Sequence, residues 1–453
     1  SWSLVEPTRG HIDQGYLDKV DAAVQAAAAH GMYVVIDMHQ DAYTSTVFTT
    51  DPSTCPAGTV PAKGWDGAPA WATITDGKST CDGPGGRNDS PAILAAWNHF
   101  YENTSGIRDE FVNTWLAIAK RFAGRPEVAG YDLLNEPETS MPSATLTPLY
   151  DTMLKQIVLG IRSTEKSAGA SFGHLIFVEP TLPSAVFSNG LVIPDPKDAG
   201  VDPTNIVAAA HNYSESIGIP GISLTIEGTN NLIKTLSDAR KVPEWTGEYG
   251  FFDTSPATLA KVARYAKDED LHAWGGAWWQ WRQSCGDPHG VSWVGDHVEA
   301  QTNPSVQLNG LDCPGNTDIG PTDAYLKVVG RAYPRATPGR ITSLASDPSS
   351  GRFSLTAATL VAGGQLVVWT PSAADGNHTV EVSGLDHVVE HTVDGGRIIT
   401  ATVTCPGTYK LHIGTAVPLP ASAPCPPPAT PAPAAVGAAS PAEAVSGTST
   451  FTG

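Results

Sequence analysis

The sequence predicts an α/β fold in which a (β/α)8 TIM barrel is followed by a C-terminal antiparallel β-sandwich. Three observations lead to this prediction. Helical and strand patterns alternate over residues 1–338, polar side chains follow the predicted strands, and the pattern changes to short alternating strands near Pro338. Alternation of helices and strands is typical of parallel sheets covered by helices.

The first helix–strand unit is the clearest. Apolar residues recur at helical spacing from Tyr16 to His30, and Met32–Met38 is a nearly continuous apolar run that suits a buried parallel strand. Further strands are predicted at Val128–Leu134, His174–Val178, Ile206–Ala210, Glu244–Gly247 and Trp274–Trp279. Further helices are predicted near Arg108–Phe122, Leu146–Ser167, Ile226–Leu236, Thr258–Lys267 and Thr322–Ala332.

The number of predicted strands bears on the architecture. Six whole strands are predicted and Ser1–Leu4 resembles the end of another, so we expect a barrel that is N-terminally truncated, with its first strand and most of its second missing. A doubly wound open sheet is the competing architecture. Such sheets usually carry a glycine-rich phosphate loop, and neither GxGxxG nor GxxxxGK occurs here.

The pattern changes near Pro338-Gly339. Short alternating runs, separated by glycine-rich turns, follow at Gln365–Trp369, His378–Val382, Arg397–Val403 and Thr408–Ile413. We therefore predict a barrel domain at residues 1–338 and a β-sandwich at residues 339–415. Residues 416–453 are rich in proline, alanine, serine and threonine, so we expect a disordered tail there. Two large insertions, Thr44–Ala96 and Gln283–Pro321, are expected to shape specificity.

Composition excludes some classes of function. The 453 residues carry 46 acidic and 27 basic side chains, and the net charge of −19 repels phosphate backbones, so no nucleic-acid partner is expected. No uninterrupted apolar run reaches the ~18 residues of a membrane span. We expect a monomer whose contact with lipid membranes or micelles is at most peripheral.

Six cysteines fall in three neighbouring pairs, Cys55 with Cys81, Cys285 with Cys313 and Cys405 with Cys425. No CxxC spacing suggests zinc, so we favour three loop-closing disulfides among the possible pairings. Because disulfides persist in oxidising compartments, the sequence predicts a secreted, extracellular protein.

Polar side chains follow each predicted strand, and in a barrel these positions meet at one rim. The residues are His39-Gln40-Asp41, Asn135-Glu136-Pro137, Glu179-Pro180, His211-Asn212-Tyr213, Glu248-Tyr249-Gly250 and Trp279-Gln280-Trp281-Arg282. Acids, amides and aromatic rings converge there, without a serine or cysteine nucleophile. Glu179 and Arg282 are treated as rim residues without an assigned role.

Glu136 and Glu248 would lie on opposite sides of the barrel mouth. Cleavage of a glycosidic bond needs such a pair, since one carboxylic acid protonates the leaving oxygen while the other carboxylate attacks or activates water. The acid must hold its proton, so we expect a raised pKa for Glu136, favoured by the Glu248 charge. Asn135 is placed to hold a sugar 2-hydroxyl. Flat faces for sugar rings are offered by Trp71, Trp278, Trp279 and Trp281. The residues alone thus indicate a glycosidase.

A metal site is an alternative interpretation of part of this set. His39 and Asp41, in HxD spacing, could bind a metal together with His211. A neutral histidine and an aspartate can equally bind sugar hydroxyls, and no HxH or HExxH motif accompanies them. We therefore expect no metal and no cofactor. Glu244, four residues before Glu248, is expected to be a solvated residue at the start of its strand, and Trp278 is expected to be buried if Trp279 faces the mouth.

Several motifs resemble those of glycoside hydrolase family 5. They are Leu134–Pro137, His211–Tyr213, Glu248–Gly250 and the tryptophan-rich last barrel strand. More narrowly, four segments resemble the endoglycoceramidase branch of that family, namely VEPTRG at Val5–Gly10, YVVIDMHQDAY at Tyr33–Tyr43, DGAPAWAT at Asp66–Thr73 and YDLLNEP at Tyr131–Pro137. The resemblance covers residues 1–415, because that branch also has a C-terminal β-sandwich.

The resemblance implies roles for the matching residues. Glu136 would be the acid/base and Glu248 the nucleophile of a retaining double displacement, and His211 would steady the acid/base region. The sugar subsite would be lined by His39, Asp41, Trp71, Asn135, Tyr213 and Trp279. The implied reaction releases oligosaccharide and ceramide from glycosphingolipids by hydrolysis of the β-glucosyl linkage between them. In the family, the strands expected to be missing bring a basic sugar contact and a helper arginine.

Two other functions stay open at this point. One is a family 5 endo-β-glucanase or β-mannanase that acts on soluble polysaccharide, and the other is an inactive carbohydrate-binding relative. Apolar loop residues beside the mouth could accept acyl chains or simply pack within their loops. They are Val186-Phe187, Ile217–Ile222 and Phe251-Phe252.

Overall fold

A computed structural model describes residues 1–181, 195–197, 200–217, 224–282, 291–294, 297–300, 306–312, 315, 317–372, 379–414 and 419. The chain divides into two compact units, the first comprising Ser1–Ala332 and Ser343–Gly351, the second Tyr333–Thr342 and Arg352–Gly453. The predicted boundary near Pro338 lies within the first segment of the second unit. The predicted tail at 416–453 lies, apart from Leu419, outside the described residues.

Six parallel strands form the central sheet in the described part of the first unit, each hydrogen-bonded to the next in chain order. They are β1 (Val34–Asp37), β2 (Val128–Asp132), β3 (Leu175–Val178), β4 (Ile206–His211), β5 (Glu244–Tyr249) and β6 (Gly275–Trp278). Sequential order is typical of a barrel, whereas the strand order of a doubly wound sheet reverses. The predicted α/β class and the six predicted strands are confirmed.

The described part of the first unit contains eight α-helices. They are α1 (Trp2–Val5), α2 (Gln14–Ala29), α3 (Pro91–Tyr101), α4 (Ile107–Phe122), α5 (Ser143–Ser167), α6 (Ile226–Arg240), α7 (Pro256–His272) and α8 (Asp323–Val329). Of these, α2 and α4–α8 lie at predicted places. Asp13 begins α2 by accepting a hydrogen bond from the backbone of Tyr16. Among these described helices, none combines the length and apolarity that a membrane span requires.

Helix α3 was not predicted, because it begins inside the segment Thr44–Ala96 that the sequence analysis treated as an insertion. Its rings Trp97 and Phe100 pack on Tyr43 in the core between the sheet and helices α2–α5. Within the insertion before α3, Cys55 and Cys81 form the predicted disulfide. Cys405 is also disulfide-bonded, and Cys285, Cys313 and Cys425 lie outside the described residues.

The predicted strand end at Ser1–Leu4 is wrong, because these residues lie in the turn of α1. Trp2 Nε1 donates to Glu6 Oε2 at 3.0 Å, one helical turn later, and to Thr114 Oγ1 at 3.1 Å. The buried indole therefore needs a helical backbone to reach both oxygens.

The C-terminal strands form two four-stranded sheets, as predicted for the β-sandwich. One has the order β11 (Tyr333–Ala336), β14 (Gln365–Pro371), β17 (Gly396–Val403) and β16 (Leu385–Val393). The other has the order β12 (Arg340–Asp347), β13 (Arg352–Thr359), β18 (Gly407–Ile413) and β15 (Val380–Ser383). Alternate residues of β13 and β14 are buried, which gives each sheet one apolar face. Two short hairpins precede them, β7 (Val291–Val294) with β8 (His297–Ala300) and β9 (Asn309–Asp312) with β10 (Thr317–Pro321).

Candidate active site

The carboxyl ends of the parallel strands bring most of the predicted site residues together. His39 follows β1, Glu136 follows β2, Glu179 follows β3, His211 ends β4, Glu248 lies in β5 and Trp279 follows β6. In the register of β4 and β5, His211 is directly opposite Glu248. The alignment of neighbouring strands thus places an imidazole beside a carboxylate.

Glu136 lies in a turn whose backbone is held on both sides. Its φ of 41° is in the left-handed region, which few residues other than glycine adopt. Gln40 Nε2 donates to the carbonyl oxygens of Asn135 at 2.6 Å and Glu136 at 3.0 Å, while Asn135 Nδ2 donates to the Gln40 carbonyl at 2.9 Å. The Glu136 N–H donates to Glu179 Oε2 at 2.7 Å. Asn135 therefore supports this turn with its buried amide.

His211 lies between three carboxylates. Its Nδ1 is 3.1 Å from Glu136 Oε1 and 3.6 Å from Glu248 Oε2, and its Nε2 is 3.2 Å from Glu179 Oε1. Tyr213 donates its hydroxyl to Glu248 Oε2 at 2.7 Å. A carboxylate oxygen of Glu136 and one of Glu248 lie within 4.8 Å of each other. The side chains of Glu136 and Glu248 are each 12% exposed, so both can act on one bond in a largely dehydrated setting.

The expected raised pKa of Glu136 is wrong for this arrangement. Burial raises the pKa of Glu136, but the hydrogen bond from His211 and the charges of His211 and Arg87 outweigh burial and lower it. Burial, aided by the Glu136 charge, raises the pKa of Glu248. Burial lowers the pKa of His211, yet the carboxylates around it raise that pKa well above its ordinary value. A protonated His211 thus lies between the two carboxylates, and Glu248 takes up a proton before Glu136.

His39, Asp41 and Trp279 form one wall of the site. The rings of His39 and Trp279 stack with centroids 5.3 Å apart and an angle of 7°. His39 Nδ1 lies 2.8 Å from Asp37 Oδ2, and its Nε2 lies 3.2 Å from Asp41 Oδ2. Burial lowers the pKa of His39, but these two aspartates raise it well above its ordinary value.

Arg87 is a site residue that the sequence analysis missed. It lies in the insertion before α3, where its guanidinium pairs with the Asp41 carboxylate and lies 3.4 Å from Glu136 Oε2. The guanidinium also covers the ring of Trp65 at 4.5 Å. No motif marks Arg87, because it contacts Glu136 from 49 residues earlier in the chain, with α3, α4 and β2 between them.

Glu179 is the second missed residue, since the sequence analysis gave it no role. It is 3% exposed and binds both His211 and the backbone of Glu136. Burial raises the pKa of Glu179 to about 7. Burial and the Glu179 charge also raise the pKa of Asp132, at the end of β2, well above its ordinary value. The signal in the sequence was a Glu-Pro step directly after a fully apolar strand.

Trp71 is a predicted site residue, but its contacts are with the N-terminal segment. Its Nε1 donates to the Glu6 carbonyl at 3.1 Å, its ring packs edge-on against Trp2 at 5.2 Å, and Arg9 lies over it at 5.6 Å. These contacts place Trp71 at the N-terminal segment, and its sugar contact stays a prediction.

Other expectations have mixed outcomes. Glu244 is half-buried, and burial raises its pKa to about 8, so the expected solvated position is wrong. Trp278 packs on Tyr249 and donates Nε1 to the Val306 carbonyl, in agreement with its expected core role. Arg282 is exposed and lies 3.9 Å from Asp318.

The apolar loop residues predicted beside the mouth differ in where they lie. Phe251 is part of the core, whereas Phe252 lies beside Tyr213, with ring centroids 6.2 Å apart. Ile217 is exposed, and its N–H donates to the Tyr213 carbonyl at 3.0 Å. Val186-Phe187 and residues 218–222 lie outside the described part of the chain.

Glu136, His211 and Glu248 are also spaced so that they could hold a metal ion. This group differs from the alternative set of His39, Asp41 and His211 that the sequence raised. Metal binding needs a neutral imidazole, and the carboxylates around His211 favour its protonated form. A metal ion would therefore have to displace the proton of His211.

Known proteins are similar to this chain in sequence and in structure. The family model described as Cellulase (glycosyl hydrolase family 5) matches residues 2–284. A crystal structure of endogalactoceramidase is 32% identical with a TM-score of 0.77, covering 91% of this chain and 85% of that chain. Endoglycoceramidase I of Rhodococcus hoagii (strain 103S) is 23% identical over 428 residues, which are 88% of this chain and 72% of the relative.

A structure of endo-glycoceramidase II from Rhodococcus sp. in complex with ganglioside GM3 shares the fold. It is 24% identical with a TM-score of 0.64, covering 92% of this chain and 88% of that chain. A parallel sheet of barrel type, with two adjoining buried carboxylates at its carboxyl end, is the framework of a glycoside hydrolase. The chain belongs to glycosyl hydrolase family 5, within its endoglycoceramidase branch, so the resemblance noted in the sequence is confirmed.

Proposed function

We propose that this protein is a retaining endo-β-glycosidase that hydrolyses the β-glucosyl linkage between oligosaccharide and ceramide in glycosphingolipids. The main support is the spacing of Glu136 and Glu248, which have carboxylate oxygens within 4.8 Å of each other. Retaining glycosidases hold the two groups about 5–5.5 Å apart, whereas inverting ones need about 6.5–9.5 Å to admit a water between them. The short spacing favours direct attack by a carboxylate.

Glu248 is the proposed nucleophile. Its carboxylate forms a bond to the anomeric carbon while the bond from that carbon to the ceramide oxygen breaks, and Glu136 gives its proton to that oxygen. A water molecule then attacks the glycosyl–enzyme ester, loses its proton to Glu136 and releases Glu248. The hydrogen bond from Tyr213 to Glu248 Oε2 orients the carboxylate and stabilises its charged form.

The reaction needs a proton on Glu136 and an ionised Glu248, the reverse of the order favoured in the site without substrate. His211 can resolve this difference, because its Nδ1 is within 3.1 Å of Glu136 and 3.6 Å of Glu248. A small rotation of the ring would shift its N–H from Glu136 to Glu248. That shift stabilises the Glu248 carboxylate and lets the proton reside on Glu136.

The sugar would bind against the wall of His39, Asp41 and Trp279, with Asn135 beside the acid/base, and a contact with Trp71 is part of the proposal. Stacking on Trp279 suits a sugar face, and the carboxylate of Asp41 suits hydroxyl groups. The proposed reaction uses only the side chains of this protein, without a metal or a cofactor.

The lipid part of the proposal rests on relatives and on two apolar side chains. The relatives are named for ceramide-linked glycans, and one was solved with ganglioside GM3. In this chain, the half-buried ring of Phe252 lies beside Tyr213, and the exposed Ile217 donates its backbone N–H to the Tyr213 carbonyl. An apolar ring beside the residue that holds the nucleophile, with an exposed apolar side chain four residues along, is suited to acyl chains near the cleaved bond.

We also propose that the protein acts outside the cell as a monomer that touches lipid membranes or micelles only peripherally. The Cys55–Cys81 disulfide supports an oxidising environment. The strongly negative charge disfavours a nucleic-acid partner.

Incubation with lactosylceramide in detergent micelles, and separately with cello- and manno-oligosaccharides, tests this proposal. Mass spectrometry should detect lactose and intact ceramide, and NMR of the first product should show the β-anomer. The Glu136→Ala and Glu248→Ala proteins are the matched controls. Cleavage of the soluble glycans alone would replace the lipid substrate with a soluble β-glucan or β-mannan, and binding without any cleavage would indicate an inactive relative.

A further inference from the structure

We propose that Glu179 is a positioning residue for the hydrolysis, a single buried carboxylate that fixes both the backbone of Glu136 and the ring of His211. The inference rests on the proposed function, because it concerns the acid/base of that reaction. Glu179 would touch neither substrate nor reacting atoms, and it would act through the two residues it holds.

Each oxygen of Glu179 has its own partner. Oε2 accepts the Glu136 N–H at 2.7 Å, and Oε1 lies 3.2 Å from His211 Nε2. The backbone of Glu179 is fixed as well, because Tyr150 donates its hydroxyl to the Glu179 carbonyl at 2.7 Å. With the side chain almost fully buried, water cannot easily take over either bond. One carboxylate therefore couples the positions of two separate strand ends.

The bond to the Glu136 backbone matters because that residue has an unfavourable conformation. A non-glycine residue at φ 41° persists only where its surroundings determine it on several sides. Gln40 holds the carbonyl of Glu136 and Glu179 holds its N–H. Without the Glu179 oxygen, the turn could relax and swing the Glu136 carboxylate away from the bond to be protonated.

The bond to His211 Nε2 determines which ring nitrogen faces the two reacting carboxylates. With Nε2–H donating to Glu179, Nδ1 is directed at Glu136 and Glu248. A carboxylate behind an imidazole fixes the ring orientation in this way. The titratable and charged groups that face Glu179 or its partners are His211, Asp37, Asp41, Asp132, Glu136, Glu248 and Arg87.

A second buried glutamate–histidine pair provides a matched control. Glu165 Oε1 accepts the His174 N–H at 3.1 Å and lies 2.7 Å from His174 Nδ1. Like Glu179, Glu165 thus holds both a backbone N–H and an imidazole, and it is similarly buried. This pair involves α5 and the residue before β3, away from the strand ends that carry Glu136 and Glu248.

The test compares Glu179→Gln with Glu165→Gln on two substrates. The glutamine has one acceptor oxygen, and its NH2 would face the other donor, so E179Q loses one of the two bonds without a change of volume. We expect kcat/KM for lactosylceramide, which reports the first step, to fall about 100-fold, because protonation of the leaving oxygen is impaired. For a dinitrophenyl lactoside, whose leaving group needs no protonation, the loss of kcat/KM should stay below about 10-fold. E165Q should leave both rates unchanged.

The pH profile gives a second readout that a purely structural role would not move. The basic limb of kcat/KM should shift in E179Q and stay in place in E165Q. Equal losses on the two substrates, or no loss on either, would overturn the inference. If E179Q does not fold, Glu179→Asp is measured instead; it keeps the charge but cannot reach both partners, and the same selective loss is expected.

Failure of the proposed function looks different from failure of this inference. If Glu136→Ala itself shows no dependence on the leaving group, Glu136 is not the acid and the proposed function fails. If E136A shows that dependence and E179Q does not, only the role of Glu179 is wrong.

Discussion

Strand β3 has a buried glutamate–histidine pair at each end. At its amino end, Glu165 binds His174, and Arg162 Nη1 lies 2.8 Å from the other Glu165 oxygen. At its carboxyl end, Glu179 binds His211, which also lies close to Glu136 and Glu248. Glu165 therefore has two basic partners, whereas Glu179 shares the imidazole of His211 with two other carboxylates.

The pKa values follow this difference in charge. Burial raises the pKa of Glu165, but its bonds to His174 and Arg162 outweigh burial and lower it. Burial raises the pKa of Glu179 to about 7, and His211 only partly opposes this. The Glu165–His174 pair, where the charges balance, therefore stabilises the structure. The Glu179–His211 pair lies among an excess of carboxylates, so protons there can move between groups.

The largest expected effect comes from removing the nucleophile at the carboxyl end. Glu248→Ala should lower kcat by about 10⁴-fold or more, because no other carboxylate of the cluster can replace its attack on the anomeric carbon. Added azide should restore part of the turnover and give an α-glycosyl azide, detectable by NMR. Near-normal hydrolysis by E248A would show that the nucleophile is a different residue.

Removing the acid/base should have a smaller and more selective effect. Glu136→Ala is expected to lower kcat on lactosylceramide by about 10²–10⁴-fold, the usual contribution of general acid catalysis. An aryl glycoside with an activated leaving group should lose much less in the first step. Steady-state kinetics on both substrates checks this, and equal losses would contradict the acid role.

Arg87→Met should change the pH dependence more than the rate. The Arg87 charge lowers the pKa of Glu136, so its removal should raise that pKa and move the basic limb of kcat/KM upward by about one pH unit. Arg87→Lys keeps the charge and is the control, with a smaller shift expected. A limb that moves downward in R87M would mean that Arg87 does not act on the acid electrostatically.

The smallest effect on catalysis is expected at the amino end of β3, where the effect should fall on stability. Glu165→Gln should lower the free energy of unfolding at pH 7 by about 1–3 kcal/mol, because it weakens a buried charged hydrogen bond. The folded pKa of Glu165 is below its ordinary 4.5, so the ionised group stabilises the fold above that pH and loses this effect as pH falls. Urea unfolding should therefore show the variant and wild type converging below about pH 4.5.

Much of the fold could be predicted because its elements have simple periodicity. The continuous apolar strands and the amphipathic helices α2, α4 and α5 are visible as patterns. Helix α3 begins inside a long insertion and was not distinguished from it, and α1 depends on a contact between Trp2 and Thr114 that links distant parts of the chain.

The candidate site was predictable where residues follow strands directly. Glu136, His211 and Glu248 come together because adjacent parallel strands end at one edge. Arg87 could not be found this way, since it reaches Glu136 from an irregular insertion. The pKa order of the carboxylates also escaped prediction, because it depends on which oxygen lies nearest to His211 and Arg87.

The position of Arg87 has an evolutionary consequence. The cation that faces the acid/base is carried by the insertion before α3, just after the disulfide-bonded Cys81, and not by the sheet. Insertions, deletions or substitutions there can alter the working pH of the enzyme while every strand stays intact. A descendant could therefore adapt to a more acidic or more alkaline habitat by exchanging one loop, with its two carboxylates inherited unchanged.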